Sequence, residues 1–274
     1  NSLRIEFFGK TAHAGAVPWL GRSAVDAAEL FAHGVNLMRE HVETTARLHY
    51  IYESAGLAPN VVPDYARLRM YVRDIDRAHV EASTAWIKQI AEGAAIATQT
   101  KAKVLVYSGC YDLLPNRPLA ERMQSYLERT GVPGYSEEEL LFAREIQQSF
   151  GVDPEGMTTA ALPLPDESIP MGFSTDVGDV SWNTPTMGYS MPTVPLGIEM
   201  HTWPATACHG MSIGVKGAIQ ASKALVLAGI DIMTDDELRR AARTDFEQRI
   251  KGKPYLSPLP PEMKHPLEVP EWLR

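Results

Sequence analysis

Cysteine is nearly absent from this sequence of 274 residues, which contains only Cys110 and Cys208. Two cysteines cannot build the disulfide framework of a small secreted domain, and they fit a reducing compartment such as the cytoplasm. Uninterrupted apolar runs are also scarce, and they fall short of the roughly 20 residues that a membrane-spanning helix needs. We therefore expect a cytoplasmic protein with no membrane partner.

Positive charge is outweighed by negative charge. The chain has 26 Lys and Arg against 34 Asp and Glu, a formal net charge of -8 at pH 7, and no basic run. A nucleic-acid-binding surface needs an excess of positive charge, so no nucleic-acid partner is expected. The phosphate-binding P-loop, the dinucleotide-binding glycine motif and the GxSxG nucleophile elbow are absent too. These absences argue against nucleotide-dependent enzymes and serine hydrolases of the α/β-hydrolase type.

The first part of the chain has the hydrophobic periodicity of alternating strands and helices. Alternation with a period of two predicts strands, and apolar residues at helical spacing predict helices. The predicted elements are, in order, strand 3–8, helix 23–40, strands 47–52 and 66–73, helix 77–98 and strand 102–107. This β-α-β-β-α-β order is typical of the ferredoxin-like arrangement.

After Cys110 the pattern changes to helices and proline-rich loops. Two predicted helices end near Thr130 and Phe150, and 172–197 is interpreted as short strands and turns. Helices 213–227, with small residues, and 235–250, highly charged, precede a proline-rich tail. So few strands predict half of an α/β layer rather than a self-contained domain. The abrupt strand-like start at Asn1 predicts a piece of a longer protein, although a trimmed N-terminus would look the same.

Three polar residues in the first part are candidates for ligand contact. His13 lies in a loop of small residues, 9–23, where a ligand can approach the backbone closely. Asn60 lies between two prolines and offers both a donor and an acceptor. Arg73, which ends the third predicted strand, could hold a carboxylate through two hydrogen bonds. Taken singly, a surface histidine, a plain turn and a solvated charge explain these residues as well or better.

Two further segments carry metal-ligand residue types. Asp176 and Asp179 flank a glycine among small residues, which suits either a metal site or a helix cap. His201 could complete a metal site built elsewhere, whereas adjacent Cys208 and His209 cannot easily bind one ion together. We expect His209 to be an ordinary loop or helix-start residue.

Several motifs, taken together in their order along the chain, resemble those of the di-metal amidohydrolase superfamily of carboxypeptidase G, aminoacylase and succinyl-diaminopimelate desuccinylase. The resemblance covers nearly the whole chain and is specific when the motifs are taken jointly. It is carried by residues 5–15, 18–23, 59–64, 90–95, 113–117, 174–182 and 201–203.

The resemblance implies an α/β protein of two parts. Residues 1–111 match a ferredoxin-like lid that forms homodimers, or dimers with a related second subunit. Residues 112–274 match the C-terminal portion of the α/β catalytic domain. The N-terminal catalytic portion, with most metal ligands and the glutamate general base, is not matched. These residues alone are therefore expected to be inactive.

The resemblance also implies roles for individual residues. His13 is similar to a lid histidine that stabilises the oxyanion in the partner subunit's active site. Asn60 is similar to a lid asparagine that contacts substrate, and Arg73 would hold the substrate carboxylate.

His201 is similar to a C-terminal ligand of the two divalent metal ions, zinc or manganese, near which Asp176 and Asp179 would lie. The implied reaction is hydrolysis of the amide bond in N-acyl amino acids, for example p-aminobenzoyl-glutamate. Two alternatives stay open: a non-catalytic small-molecule-binding module of ferredoxin-like fold, and a pure dimerisation module.

Overall fold

The computed structural model of the protein describes residues 1–168, 174–261 and 263. The chain divides into two compact units. The first comprises Asn1–Leu113 with the described parts of 172–179 and 255–274, and the second comprises the described parts of 114–171 and 180–254. The assignment of residues 1–111 to a lid and 112–274 to a catalytic portion stays a prediction.

The first unit contains a four-stranded antiparallel sheet with two helices. Its elements are β1 (Ser2–Phe8), α1 (Ala24–Met38), β2 (Arg47–Ala55), β3 (Tyr65–Arg73), α2 (Arg77–Thr98) and β4 (Lys101–Ser108). The strands are ordered β2-β3-β1-β4, and every neighbouring pair is antiparallel. The structure confirms the ferredoxin-like order predicted from the sequence.

Strand alternation produces a core on one face of this sheet. Leu3, Ile5 and Phe7 of β1 are fully buried, and Leu68 and Met70 of β3 lie in the same cluster with residues of α1 and α2. Each such side chain contributes roughly 1.5–3 kcal/mol when removed from water. Because successive side chains of a strand point to opposite faces, the polar residues between them point away from the helices. One face of the sheet is therefore covered by helices and the other bears the polar side chains.

Local capping fixes where both helices begin. The Ser23 side chain accepts a hydrogen bond from the backbone N–H of Asp26 at 3.1 Å, and the Asp76 side chain accepts one from His79 N–H at 2.9 Å. Such caps satisfy backbone donors that have no partner within the helix. The predicted helices 23–40 and 77–98 are thus confirmed.

Helices dominate the second unit. They are α3 (Arg117–Thr130), α4 (Glu137–Phe150), α6 (Trp203–His209), α7 (Ser212–Thr234) and α8 (Asp236–Ile250), and the short helix α5 (Val177–Ser181) lies at the boundary of the two units. The short strands predicted for 172–197 are wrong for residues 174–197. These residues contain α5 and coil, with one isolated bridge between Pro115 and Thr186. Proline cannot donate to a strand ladder, and three prolines lie between 185 and 195. Parts of 151–173 and of the tail 253–270 lie outside the described residues.

Helix α7 is long and apolar enough to meet the minimal criterion for a membrane span, as a core helix of a soluble protein does too. Two of its charged residues form ion pairs with other helices of the unit. The Lys216 ammonium lies 2.6 Å from Glu139 of α4, and Asp231 forms an ion pair with Arg122 of α3. These ion pairs connect α7 to α4 and α3, while 28% of its apolar window is buried.

Candidate functional site

The loop that follows β1 is joined to the turn that precedes β3. His13 forms an antiparallel bridge with Val61. The backbone N–H of Ala14 donates to the carbonyl of Asn60 at 3.0 Å. The structure therefore brings His13 and Asn60 together, at the end of the sheet where β1 ends and β3 begins.

Glycine makes the close packing of this loop possible. A Cβ atom on Gly9 would lie only 2.0 Å from the carbonyl oxygen of Arg22, and one on Gly21 would lie 2.9 Å from the Val62 side chain. The first contact is with backbone, which cannot rotate out of the way. The close approach therefore requires a residue without a side chain at position 9.

Hydrogen bonds to the ring define the chemistry of His13. Its Nδ1 accepts from the backbone N–H groups of Gly15 at 3.2 Å and Ala16 at 3.1 Å. A neutral imidazole has one acceptor nitrogen and one N–H, so these bonds select the tautomer that carries its proton on Nε2. The side chain is exposed. The His13 ring therefore presents its Nε2–H as a donor to a ligand or partner that binds at this loop.

Arg73 lies at the opposite end of the sheet. In the strand register Tyr65 of β3 pairs with Phe8, beside the His13 loop, whereas Arg73 pairs with Arg47. The two ends of β3 are eight residue steps apart, a distance of roughly 26 Å at about 3.3 Å per step. The structure therefore does not bring Arg73 to His13 within one chain.

Asp176 and Asp179 lie in the first unit at the start of α5. Asp176 is exposed and accepts a backbone hydrogen bond from Asp179 N–H at 3.1 Å. The half-buried Asp179 carboxylate accepts a hydrogen bond from the Tyr255 hydroxyl at 2.9 Å. Burial, followed by this hydrogen bond, raises the pKa of Tyr255 to about 12. Asp179 thus already has one structural partner.

His201 lies in the second unit, exposed, in a turn that leads into α6. Its φ of 65° is in the left-handed region, which residues other than glycine rarely adopt. Such a conformation costs on the order of 1–3 kcal/mol and is often found at functional positions. The next residue, Thr202, caps α6 by accepting from Ala205 N–H at 3.4 Å. This cap therefore fixes the end of the strained turn at the start of α6.

His209 and the two cysteines lie in ordinary structural environments. His209 ends α6, not a loop or a helix start as expected, and its Nε2 lies 2.9 Å from the Thr193 hydroxyl. Both thiols are free, and burial raises the pKa of Cys110 and of Cys208. A raised pKa lowers the thiolate fraction, so neither cysteine is an activated nucleophile.

A complete metal site is not formed by the described residues. Within 1–168, 174–261 and 263, no three His, Cys, Asp or Glu side chains are grouped closely enough to hold an ion. A zinc site needs at least three protein ligands. The described residues therefore do not fit the implied metal pair on their own.

A charged cluster on the polar face of the sheet was not found by the sequence analysis. The Glu53 carboxylate lies 2.9 Å from Arg67 Nε and 3.0 Å from Arg69 Nε, with Arg4 at 4.0 Å. Three guanidinium groups thus surround one carboxylate. The alternate spacing of the basic residues on β3 was the signal in the sequence.

The comparisons with known proteins agree with this fold. Residues 1–98 match the family model described as a peptidase dimerisation domain, M20_dimer. The chain is 32% identical over 280 residues to one of the subunits of p-aminobenzoyl-glutamate hydrolase from Escherichia coli, covering 93% of this chain and 58% of the relative. It is 24% identical to the human Xaa-Arg dipeptidase, covering 94% of this chain and 53% of that relative.

A shorter match involves a Haemophilus influenzae homologue of another subunit of p-aminobenzoyl-glutamate hydrolase. It is 37% identical over 94 residues, which cover 34% of this chain and 22% of the relative. The chain spans only 58% and 53% of the length of its two long matches. Residues 1–98 therefore match the peptidase dimerisation domain family of the M20 type, and the chain is similar over most of its length to one subunit of the Escherichia coli p-aminobenzoyl-glutamate hydrolase and to Xaa-Arg dipeptidase.

Proposed function

We propose that this chain is part of a peptidase or amidohydrolase that cleaves the amide bond of N-acyl amino acids, with p-aminobenzoyl-glutamate as one substrate. The M20-type domain and the names of the two long matches support this class. The observation that carries it is the pairing of His13 with the Asn60 turn, in which two backbone N–H groups orient the imidazole.

The proposed role of His13 follows from its tautomer. Amide hydrolysis passes through a tetrahedral intermediate whose former carbonyl oxygen is negative. A donor that is already oriented stabilises this oxyanion without reorganisation during the reaction. The bonds from Gly15 and Ala16 to Nδ1 leave Nε2–H as that donor. The Asn60 amide would add a neighbouring substrate contact.

The separation of Arg73 from His13 suggests an active site shared between subunits. One small substrate cannot bridge roughly 26 Å along β3. We therefore place His13 and Asn60 of one subunit in its partner's site, and Arg73 in the site of its own subunit. There the guanidinium would hold the substrate carboxylate through paired hydrogen bonds.

Strand β2 and helix α1 offer the surface for such a dimer. β2 is an edge strand, and exposed apolar side chains lie on it and on α1. They are Leu30 and Leu37 of α1 and Ile51 and Tyr52 of β2, all more than 40% exposed. The other edge, β4, exposes Lys101 and Lys103, and lysine on an edge strand discourages pairing. The partner would be a second copy or a related subunit.

We also propose His201 as a single ligand of a divalent metal, zinc or manganese, with Asp176 and Asp179 near the ions. Support for His201 comes from its strained, exposed turn. No reaction step is assigned to the metals, since the described residues do not form a complete ligand set. A cytoplasmic location stays a prediction.

The test uses the full-length gene product and measures amine release from N-acetyl-amino acids and p-aminobenzoyl-glutamate. We expect hydrolysis, and we expect His13→Ala to lower kcat by about 10²–10³-fold, the usual cost of removing an oxyanion donor. His209→Ala is the matched control, because that imidazole is bonded to Thr193 and has no proposed role. Absence of hydrolysis by the unmodified protein, or full activity of His13→Ala, would contradict the proposal.

A further inference from the structure

The polar face of the four-stranded sheet concentrates positive charge. Its charged residues are those that alternate with the core positions of each strand. They are the cations Arg4, Arg47, Arg67, Arg69, Arg73, Lys101 and Lys103 and the anions Glu6 and Glu53. Seven cations against two anions leave an excess of five positive charges, in a protein whose net charge is -8.

The two carboxylates of this face are already engaged with neighbouring side chains. Glu53 is held by the arginines described above, and its side chain is only 16% exposed. Glu6 accepts a hydrogen bond from the Tyr65 hydroxyl at 2.6 Å. Arg47, Lys101 and Lys103 are exposed, and none of the three forms an ion pair with a described residue. The positive charges of these three side chains are therefore presented to solvent.

Ion pairing and edge protection explain only part of this distribution. Arg4 and Arg69 lie directly opposite each other and share the Glu53 carboxylate, whereas Arg47 lies directly opposite Arg73 and forms no ion pair with a described residue. Like charges directly opposite each other on neighbouring strands are destabilising. An anion approaching the face would relieve the repulsion, so the distribution favours a negatively charged ligand.

The position of the face connects it with the proposed site. β1 and β3 run from the end that carries His13 and Asn60 to the end that carries Arg73. Arg4, Arg67 and Arg69 lie on these two strands, while on the flanking strands Lys101 pairs with Phe8 at the His13 end and Arg47 pairs with Arg73 at the other end. Each end of the face therefore lies beside a residue of one of the proposed sites. Concentrated charge of one sign raises the local concentration of oppositely charged substrates and speeds their association.

We propose that this cationic face guides dianionic substrates, meaning N-acyl amino acids with an acidic side chain, and selects them over equally large monoanionic ones. The inference rests on the proposed function and adds to it a substrate class and the residues that select it. N-acetyl-glutamate and N-acetyl-glutamine differ by one charge at nearly equal shape. Since salt screens interactions between exposed charges, the preference should be large at low ionic strength and small at high ionic strength.

The test compares kcat/KM for these two compounds in the full-length protein. The triple variant Arg47→Gln, Lys101→Gln, Lys103→Gln is matched by Lys88→Gln, Lys251→Gln, Lys253→Gln, which removes three exposed cations elsewhere. We expect the first triple to lower kcat/KM for N-acetyl-glutamate about tenfold at low salt, with kcat nearly constant. N-acetyl-glutamine should change less than about threefold, and high salt should abolish the difference.

Arg47 also donates to the carbonyls of Thr44 and Ala46, both at 2.8 Å. The double variant of Lys101 and Lys103 therefore repeats the test without disturbing that turn. Equal losses for the two compounds, or the same loss in the control triple, would overturn the inference while hydrolysis itself persisted. An unmodified protein that hydrolysed neither of these compounds nor p-aminobenzoyl-glutamate would instead overturn the proposed function, and the inference with it.

Discussion

At the scale of single residues, Glu139 shows how a buried carboxylate is kept charged. It is 5% exposed and accepts hydrogen bonds from Lys216 Nζ at 2.6 Å, from the Ser212 hydroxyl and from Ser136 N–H at 2.6 Å. The bonds from Lys216 and Ser212 are the main reasons that the pKa of Glu139 falls to about 2. The charged carboxylate thus joins α4 to α7.

This arrangement predicts acid sensitivity of the second unit. The folded pKa is about 2 against an ordinary value of 4.5, so the stabilisation is complete above pH 4.5 and is lost as the pH falls towards 2. At about 1.4 kcal/mol per pKa unit, its full size is on the order of 3 kcal/mol. Urea unfolding of Glu139→Gln should show lower stability at pH 7 and a weaker pH dependence below 4.5.

Glu137→Gln, an exposed position in the same helical turn, is the control and should keep the original pH dependence. If Glu139→Gln also kept it, the assigned pKa would be incorrect.

The sequence predicted half of this cluster. The spacing of Ser136 and Glu139 indicated a capping box, and both of its hydrogen bonds are present. Lys216 could not be predicted, because it lies 77 residues away and its approach depends on helix packing. Likewise, small residues around His13 suggested a ligand loop, but its tautomer depends on where two N–H groups point after folding.

At the scale of elements, the loop between β1 and α1 determines whether His13 is positioned. Gly9→Ala should displace it, since the added Cβ would lie 2.0 Å from the backbone oxygen of Arg22. We expect Gly9→Ala to lower the free energy of unfolding, measured by thermal unfolding, by about 1–3 kcal/mol. The variant should also have a lower kcat while the dimer stays intact.

Gly93→Ala is the control for this substitution. Position 93 is helical and exposed, and an added Cβ would meet nothing within 4 Å. It should stabilise the protein by about 0.5–1 kcal/mol, as alanine favours helix. A Gly9→Ala variant as stable and active as this control would contradict the loop's proposed role.

The helices and strands that were predicted correctly are those with a regular apolar periodicity. All six elements of the ferredoxin-like part were predicted, because each buries one regular apolar face. Residues 174–197 lack such a pattern, and the predicted strands there were wrong. Helix α7 extends to Thr234 instead of 227, and the short helix α6 was missed. Short or weakly periodic segments depend on tertiary contacts that sequence patterns do not carry.

At the scale of the whole molecule, the proposed dimer surface can be tested at α1. Leu37 of α1 is 53% exposed, and Ile96 of α2 is 72% exposed. Leu37→Lys should raise the dimer dissociation constant on the order of tenfold or more, because it buries an unpaired charge at the contact. Ile96→Lys should leave it unchanged. Sedimentation velocity over a concentration series distinguishes the two, and equal effects would move the interface away from α1.

The distances between the candidate site residues were the property that could least be predicted from the sequence. His13, Asn60 and Arg73 were each candidates for one substrate site. The strand register places Arg73 at the far end of β3 from the other two. Their order along the chain does not contain this information. The proposed shared site therefore depends on the sheet register.

Mixed dimers of two inactive variants test the shared site most directly. His13→Ala and His201→Ala subunits, each with a different affinity tag, would be co-expressed as full-length chains and purified as heterodimers. If His13 acts in the partner's site, one site of each heterodimer has both histidines, so about half of the unmodified specific activity should return. Heterodimers as inactive as the two parent variants would contradict the shared site.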